Sequence, residues 1–299
     1  MAQPGTVSRG FGGRVLSVVE VTPGTTPTNP ALIKFSDHVQ SVSMSFDPQL
    51  KEWRDIGDFD VASIVKGLPM YGVRISYMLH SGRKTQLDDA INRQADNSVK
   101  SQTIEVSLNR DGSTVGYYTF LGCKAEDATT RGGVGEPVTV DITYKALSVT
   151  RATSEPSVGS GSRETASLGA LCHGSTSSIT RGGSALAYVT RTWEFKVSHA
   201  LEALGTDNQT DPKVILEGIR QVTGTVDITV DDGGVTLTDA VLAGTAAEVI
   251  FALGGAGAPK FTLSNVQWSN LEIPLSAEQG FVLTGVPFIA TAIATGTVA

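Results

Sequence analysis

The feature that most constrains this chain is that its two halves follow one pattern. The segment "IVKGLPMYGVRISYMLHSGRKTQLDDA", which begins at Ile64, matches "ILEGIRQVTGTVDITVDDGGVTLTDAV", which begins at Ile215, without a gap and at an offset of 215 − 64 = 151. Further along, Tyr118 matches Phe261 at an offset of 143. Because order and spacing agree along most of both halves, the sequence predicts two tandem copies of one domain.

The joint between the copies is predicted in a stretch rich in Ser, Gly and Pro. This stretch, Ser154–Ser162, has the composition of a flexible linker or a surface loop. We therefore expect a first domain with an N-terminal arm at residues 1–152, a linker at 153–178 and a second domain at 179–299.

Each copy is predicted to be mainly β with one short α-helix. Alternation of apolar and polar residues favours strands at Arg14–Val21, His38–Phe46 and Gly72–Leu79, and a hairpin around residues 109–112. A last alternating strand ends each copy. One helix cannot cover both faces of such a sheet, so each domain is predicted to close as a β-sandwich or a small barrel.

The helix is predicted from a cap pattern that occurs in both copies. Thr85 is interpreted as the N-cap, with Asp88 three residues later as the acid of a capping box. Thr236 and Asp239 occupy the matching positions of the second copy.

A polar loop interrupts each copy between two strands. The first, Asp47–Asp60, is too polar for a core strand and too long for a hairpin turn. The residues predicted to contact another subunit are Asp47, Glu52, Trp53, Arg54, Asp55, Asp58 and Asp60. The second loop is shorter and includes Asp207, Asn208 and Asp211. Two interpretations of Trp53 stay open: an anchor for another subunit, or a ring that packs back onto its own domain.

Composition and motifs exclude several classes of function. A net charge of −7 argues against nucleic-acid binding by neutralisation, and the two cysteines exclude a disulfide framework. The four histidines lack metal-ligand spacing, and no catalytic or phosphate-binding motif is complete. We predict no catalytic, metal or cofactor site, no enzymatic activity and no membrane insertion.

The order of elements resembles the tail tube fold of phages: strands, a long polar loop, a strand, a short helix, a hairpin and a final strand. The duplicated type is found in non-contractile tails, and the resemblance implies homotrimeric, pseudo-hexameric rings that stack into a tube. It also implies that the polar loops contact the next ring, that the lumen is acidic, and that viral DNA passes through it without sequence-specific binding.

The resemblance implies partners and a location as well. The chain would contact other copies of itself and other tail proteins, such as tape measure, terminator and distal tail proteins. It would be assembled in the host cytoplasm and reside in the tail of the virion. The alternatives from the residues alone are a surface, decoration or adhesin module and a carbohydrate-active β-sandwich enzyme or lectin. A contractile-tail inner tube is the alternative within the family.

Overall fold

The computed structural model describes residues 13–53, 63–110, 113–185, 190–205, 211–229, 242–269 and 282–298. The first half contains one helix and ten strands: β1 (Val15–Val19), β2 (Ala31–Lys34), β3 (Val39–Asp47), β4 (Leu50–Trp53), β5 (Ser63–Lys66), β6 (Met70–Met78), α1 (Thr85–Ile91), β7 (Gln102–Arg110), β8 (Ser113–Gly133), β9 (Thr139–Ala146) and β10 (Ser148–Ala152). The predicted strands that correspond to β1, β3 and β6 are confirmed, with ends that differ by one to two residues, and the predicted hairpin is formed by β7 and β8.

The rest of the described chain is also built from strands. These are β11 (Ser162–Arg163), β12 (Ser178–Arg181), β13 (Ser184–Ala185), β14 (Thr190–Leu204), β15 (Val214–Thr229), β16 (Ala247–Ala252), β17 (Pro259–Trp268), β18 (Val282–Ala290) and β19 (Ala292–Thr297), with a 3-10 turn at Gly174–Thr176. The helix predicted at Thr236 and Asp239 lies outside the described residues. The mainly β fold class is confirmed.

The strands form two layers. One layer is an eight-stranded sheet in the order β3-β6-β9-β8-β14-β15-β18-β17, which runs through both halves. The other layer consists of a sheet in each half: β2-β1-β7-β8-β10 in the first and β13-β12-β16-β17-β19 in the second. Because β8 and β17 take part in both layers, the sandwich is closed along one side of each half.

Seven pairings of the first half recur in the second half in the same chain order. The pairs β1–β2, β1–β7, β7–β8, β8–β10, β8–β9, β9–β6 and β6–β3 correspond to β12–β13, β12–β16, β16–β17, β17–β19, β17–β18, β18–β15 and β15–β14. The register agrees with the sequence offset, since Ile75 pairs with Val42 and Val226 pairs with Trp193, both 151 residues later.

The bend that carries β8 and β17 from one layer to the other uses the same backbone conformation twice. Gly122 has a φ of 66° and Asn265, 143 residues later, has a φ of 49°. Glycine and asparagine are the residues that adopt this left-handed region most readily. A Cβ at Gly122 would lie 2.5 Å from Leu147 Cδ1, so the first bend requires glycine.

The helix α1 closes the first half and contacts the second. Its residues Leu87, Ala90 and Ile91 are buried in a core that extends through both halves. The predicted cap is wrong: Lys84 is the N-cap without a side-chain cap bond, and Thr85 is the first helical residue. The predicted capping box is wrong as well, because Asp88 is held by Lys84, four residues before it, in an ion pair that runs along the helix instead.

The segment predicted as a linker is a strap bound to the first half. Its strand β11 pairs in parallel with β2, and Arg163 binds the carboxylate of the buried Glu105 through two nitrogens at 2.8 and 2.7 Å. Asp37 accepts hydrogen bonds from Leu168 N and Ser167 Oγ. The flexibility that composition predicted is therefore offset by ion pairs and main-chain bonds, and the residues stay at the surface.

Candidate assembly surfaces

The two halves are joined edge to edge by strand pairing. Residues Thr192–Ser198 of β14 pair antiparallel with residues 127–133 of β8, which makes the eight-stranded sheet continuous. The indole of Trp193 lies over this joint, and a Cβ at Gly132 would come within 2.6 Å of it. Trp193 is 4% exposed and stacks on Phe195, so the joint is anchored in the core.

The first strand of the same sheet is an open edge. β3 pairs with β6 on one side, and among the described residues it has no strand partner on the other. Its counterpart β14 pairs with β15 and with β8. An unpaired row of backbone N–H and C=O groups is a template for another strand, so this edge can accept a second chain.

A short hairpin that was not predicted begins in the first polar loop and ends beyond it. Strands β4 and β5 form a separate two-stranded sheet, with Leu50 opposite Lys66 and Trp53 opposite Ser63. Apolar side chains are exposed on it, with Leu50 at 63%, Ile64 at 62% and Val65 at 48%. We call this hairpin the arm. Its apolar residues lie on strands at both ends of the loop, which is why polarity alone did not reveal it.

The structure describes only some of the residues predicted to make contacts in the first loop. The carboxylate of Asp47 accepts hydrogen bonds from the backbone and side-chain nitrogens of Gln49 at 2.8 and 2.6 Å, so it shapes the turn into the arm. Glu52 is exposed on β4. The backbone of Trp53 ends β4, while Arg54, Asp55, Asp58 and Asp60 lie outside the described residues.

The second polar loop meets the base of the arm. Asp211 accepts a hydrogen bond from Tyr71 Oη at 2.6 Å, and Leu68 lies against Gly205. Burial and the bond to Asp211 raise the pKa of Tyr71 to about 12. Asp207 and Asn208 lie outside the described residues. The described ends of the two predicted loops therefore lie at one end of the molecule, where Leu204, Val214 and Leu216 are also exposed.

One face of the eight-stranded sheet is mainly polar, opposite to the face that packs in the core; Met70 and Ile289 are exposed apolar residues on it, and Lys124 is a buried base at its end. Its side chains alternate with buried ones along each strand. We call it the polar face; it carries Ser41, Ser43, Ser45, Ser76, Thr129, Thr139, Thr143, Thr192, Ser198, Thr223 and Thr225, the basic residues Arg74, Lys124, Arg131, Lys145 and Lys196, and the acidic residues Asp47, Glu126, Asp127, Asp141, Glu194, Glu217 and Asp227.

The described residues offer little for catalysis. They contain no group of three or more metal-ligating side chains. Burial raises the pKa of Cys172 to about 11 and that of Cys123 well above its ordinary value, so neither thiol is activated as a nucleophile. The ring of His199 is buried, which lowers its pKa, and its Nε2 donates to the carbonyl of Ala90 at 3.0 Å. No described helix is long and apolar enough to cross a membrane.

Two features of these surfaces escaped the sequence reasoning. The role of Gly132 depends on an indole 61 residues away in the chain, and no local pattern announces such a contact. The unusual length of β8, which runs from Ser113 to Gly133, was visible in the sequence as alternation that continues past residue 122. That signal could have predicted a strand shared between two sheets.

Comparison with known proteins agrees with this geometry. Residues 10–294 match the family described as phage tail tube protein. No curated protein matches the chain. The match covers almost the whole chain and confirms the resemblance inferred from the order of elements. This chain therefore belongs to the phage tail tube protein family, whose members are structural proteins of the tail and not enzymes.

Proposed function

We propose that this protein is the tube subunit of a non-contractile tail, in which three chains form a pseudo-hexameric ring and the rings stack into a channel for viral DNA. In this proposal residues 1–152 and 179–299 are two tube domains, joined by the strap at 153–178. The recurrence of seven strand pairings in the same chain order supports a duplicated domain. Three such chains would supply six domains to a closed ring.

The observation that carries the proposal is the joint between β8 and β14. It unites two similar halves by extending one sheet, and β3, the counterpart of β14, has an open edge in the described residues. The same contact between chains would continue the sheet around a ring.

Contacts between rings are proposed at the end of the molecule that carries the arm. The exposed Leu50, Ile64 and Val65 give the arm an apolar surface that another ring could cover. The turn between β8 and β9, where Val134 is 63% exposed, lies at the opposite end of the sheet, as the pairing of Thr139 with Met78 and of Ala146 with Tyr71 requires. Arm and turn would therefore meet when rings stack in one direction.

The remaining parts of the proposal concern partners and location. We infer that the ends of the tube contact tape measure, terminator and distal tail proteins, and that the subunit is assembled in the host cytoplasm before it enters the virion. The lumen is proposed to be net acidic, so that DNA passes without adhering.

The test is negative-stain electron microscopy of the purified protein beside light scattering after size exclusion. Rings or hollow tubes with threefold or pseudo-sixfold end views are expected, with a mass of three chains for a single ring. Compact monomers across a series of salt and protein concentrations would contradict ring formation and would favour a surface or decoration module.

A further inference from the structure

The basic residues of the polar face are all in contact with acidic ones. Arg131 contacts Asp141 at 2.9 Å, Lys145 contacts Glu126 at 2.7 Å, and these pairs join neighbouring strands. The other contacts are Lys196 to Asp127 at 3.1 Å, Arg131 to Glu194 at 3.6 Å, Arg74 to Asp141 at 3.8 Å, and Lys124 to Glu217. None of the five basic groups is left without an acid.

Strand register imposes this arrangement. Lys124 lies directly opposite Lys145 in the pairing of β8 with β9, and two like charges in that position repel. Each lysine has its own carboxylate, Glu217 for the first and Glu126 for the second. Lys145 also donates to the carbonyl of Leu201 at 2.8 Å. The lysine ammonium groups are therefore held by protein acceptors rather than left free for a ligand.

The remaining polar groups of the face are neutral or bound within the chain. Asp227 accepts hydrogen bonds from Thr192 Oγ1 and Gly285 N. The face as defined above has five bases and seven acids, so its net charge is 5 − 7 = −2, against −7 for the whole chain. Most of the excess negative charge of the protein therefore lies elsewhere.

Paired charges affect a passing polyanion less than free ones. The field of an ion pair only a few ångströms long falls off faster than that of a single charge, and salt screens it further beyond about 8–10 Å. A lysine already bound to a carboxylate would have to break that pair before it could bind a phosphate and release a counterion. A wall of such pairs with hydroxyls between them gives DNA few places to adhere.

We propose that the polar face lines the channel, and that the pairing of its bases with acids is what prevents it from binding double-stranded DNA. This rests on the tube function proposed above and narrows the acidic lumen to a weakly acidic, charge-paired wall. The opposite face of the sheet is covered by the second layer and by α1. If the sheet closes into a ring, the second layer needs the greater circumference outside, which leaves the polar face inside.

The experiment frees bases on this face and measures DNA binding by assembled tubes. In one variant, Glu126→Gln and Asp141→Asn remove two acids, which takes from Lys145 and Arg74 the acids they contact and leaves Arg131 with Glu194. The matched control, Asp96→Asn with Glu248→Gln, makes the same change of charge at exposed positions off the face. A short fluorescent duplex is sedimented with the tubes at low salt. We expect binding to rise on the order of tenfold or more in the first variant and to fall steeply with added salt.

A second probe tests where the face lies. A closed circular plasmid cannot enter a tube from its ends, whereas a short linear duplex can. We expect the first variant to retain the duplex and not the plasmid. Equal retention of both would mean that the face is outside the tube, and would overturn the proposal.

The outcomes separate this proposal from the tube function. Absence of tubes in the unmodified protein contradicts both. If the unmodified protein forms normal tubes but tubes of the double variant bind no more duplex than those of the control, only the charge-pairing proposal is overturned. If the double variant does not assemble, the single variant Glu126→Gln replaces it, because this change alone removes the acid of Lys145. Glu248→Gln is then the control, and binding no greater than in the control would overturn the charge-pairing proposal.

Discussion

Strands β3 and β14 hold equivalent positions in the two halves but have different neighbours. β14 lies inside the continuous sheet, between β8 and β15, whereas the described residues provide β3 with β6 alone. Both strands carry small or polar side chains on the polar face, and both have core residues on the other face. The two strands therefore differ in their neighbours and not in their own character. The edge contact that β14 makes with β8 within the chain could thus be made by β3 with a second chain.

The two halves also differ at the end of the molecule that carries the polar loops. The first half inserts the separate hairpin β4–β5, whereas in the second half β14 and β15 themselves extend, up to the pairing of Leu204 with Val214. The two halves therefore share the arrangement of the sheet and differ at this end of the molecule. In the ring proposed above, this difference would let a neighbouring ring distinguish the two halves.

Proline substitutions in β3 and β14 should show the largest difference in stability and assembly between the two strands. N–H groups of successive residues point to opposite edges of a strand, so Ser43→Pro and Met44→Pro remove one bond to β6 and one group at the open edge. The matched variants in β14, Glu194→Pro and Phe195→Pro, each remove a bond inside the sheet and should cost about 3 kcal/mol or more.

The measurement combines chemical denaturation with electron microscopy of assembly. In β3 one of the two prolines should leave the free energy of unfolding of the monomer nearly unchanged and abolish tubes. If neither proline in β3 affects assembly, the open edge is not the contact between chains.

A substitution at the joint between β8 and β14 should weaken the packing of the two halves and cost less stability than the prolines in β14. Gly132→Val places a side chain where the indole of Trp193 lies, and overpacking of this kind costs about 1–3 kcal/mol. We expect a lower denaturation midpoint and a change in Trp fluorescence. Gly135→Val, at a turn with open space beside it, serves as a control for the loss of a glycine, although its φ of 84° adds strain of its own. An unchanged midpoint for Gly132→Val would contradict the packing at the joint.

The two bends allow a sharper test of duplication. Gly122→Asn copies the residue of the second bend, and it should cost about 1–3 kcal/mol because its Cβ meets Leu147. The position that matches Leu147 in the second half is Thr291, whose backbone N–H bonds to Ser264 as that of Leu147 bonds to Leu121. Adding Leu147→Thr should relieve the clash, and a double-mutant cycle should show a favourable coupling of about 1 kcal/mol. Strict additivity would mean that the bends are not interchangeable.

The smallest effect on stability is expected when a lower pH protonates Asp37, which holds the strap. Burial opposes ionisation of Asp37, but bonds from Lys34, Leu168 and Ser167 outweigh it and lower its pKa to about 2. Since the folded-state pKa is depressed, this contribution to stability is present above the unfolded value of 3.8 and is lost as the pH falls through 2. The protection factor of the Leu168 N–H against hydrogen exchange should therefore fall between pH 4 and pH 2. Asp37→Asn should exchange faster at pH 4 and lose that difference at pH 2; equal rates at pH 4 would contradict the contact.

The sequence predicted the regular parts of this fold because local patterns specify them. Alternation located β3, β6 and the hairpin of β7 and β8, and a start signal located α1 to within a residue. The cap itself was wrong because the choice between Thr85 and Lys84 depends on packing around Asp88. The arm was missed because two four-residue strands with exposed apolar residues have the composition of a loop. The joint could not be predicted, since the pairing of β8 with β14 joins residues about 60 positions apart.

The joint between β8 and β14 also has a mechanical consequence. Seven residue pairs lie side by side along it, and any force that pushes the walls of a ring apart acts across these pairs together. The load is divided among them, so no single hydrogen bond has to withstand it, and the ladder fails only if many bonds open at once. A conduit assembled from such seams would withstand internal pressure through the number of its bonds and not through the strength of any one of them.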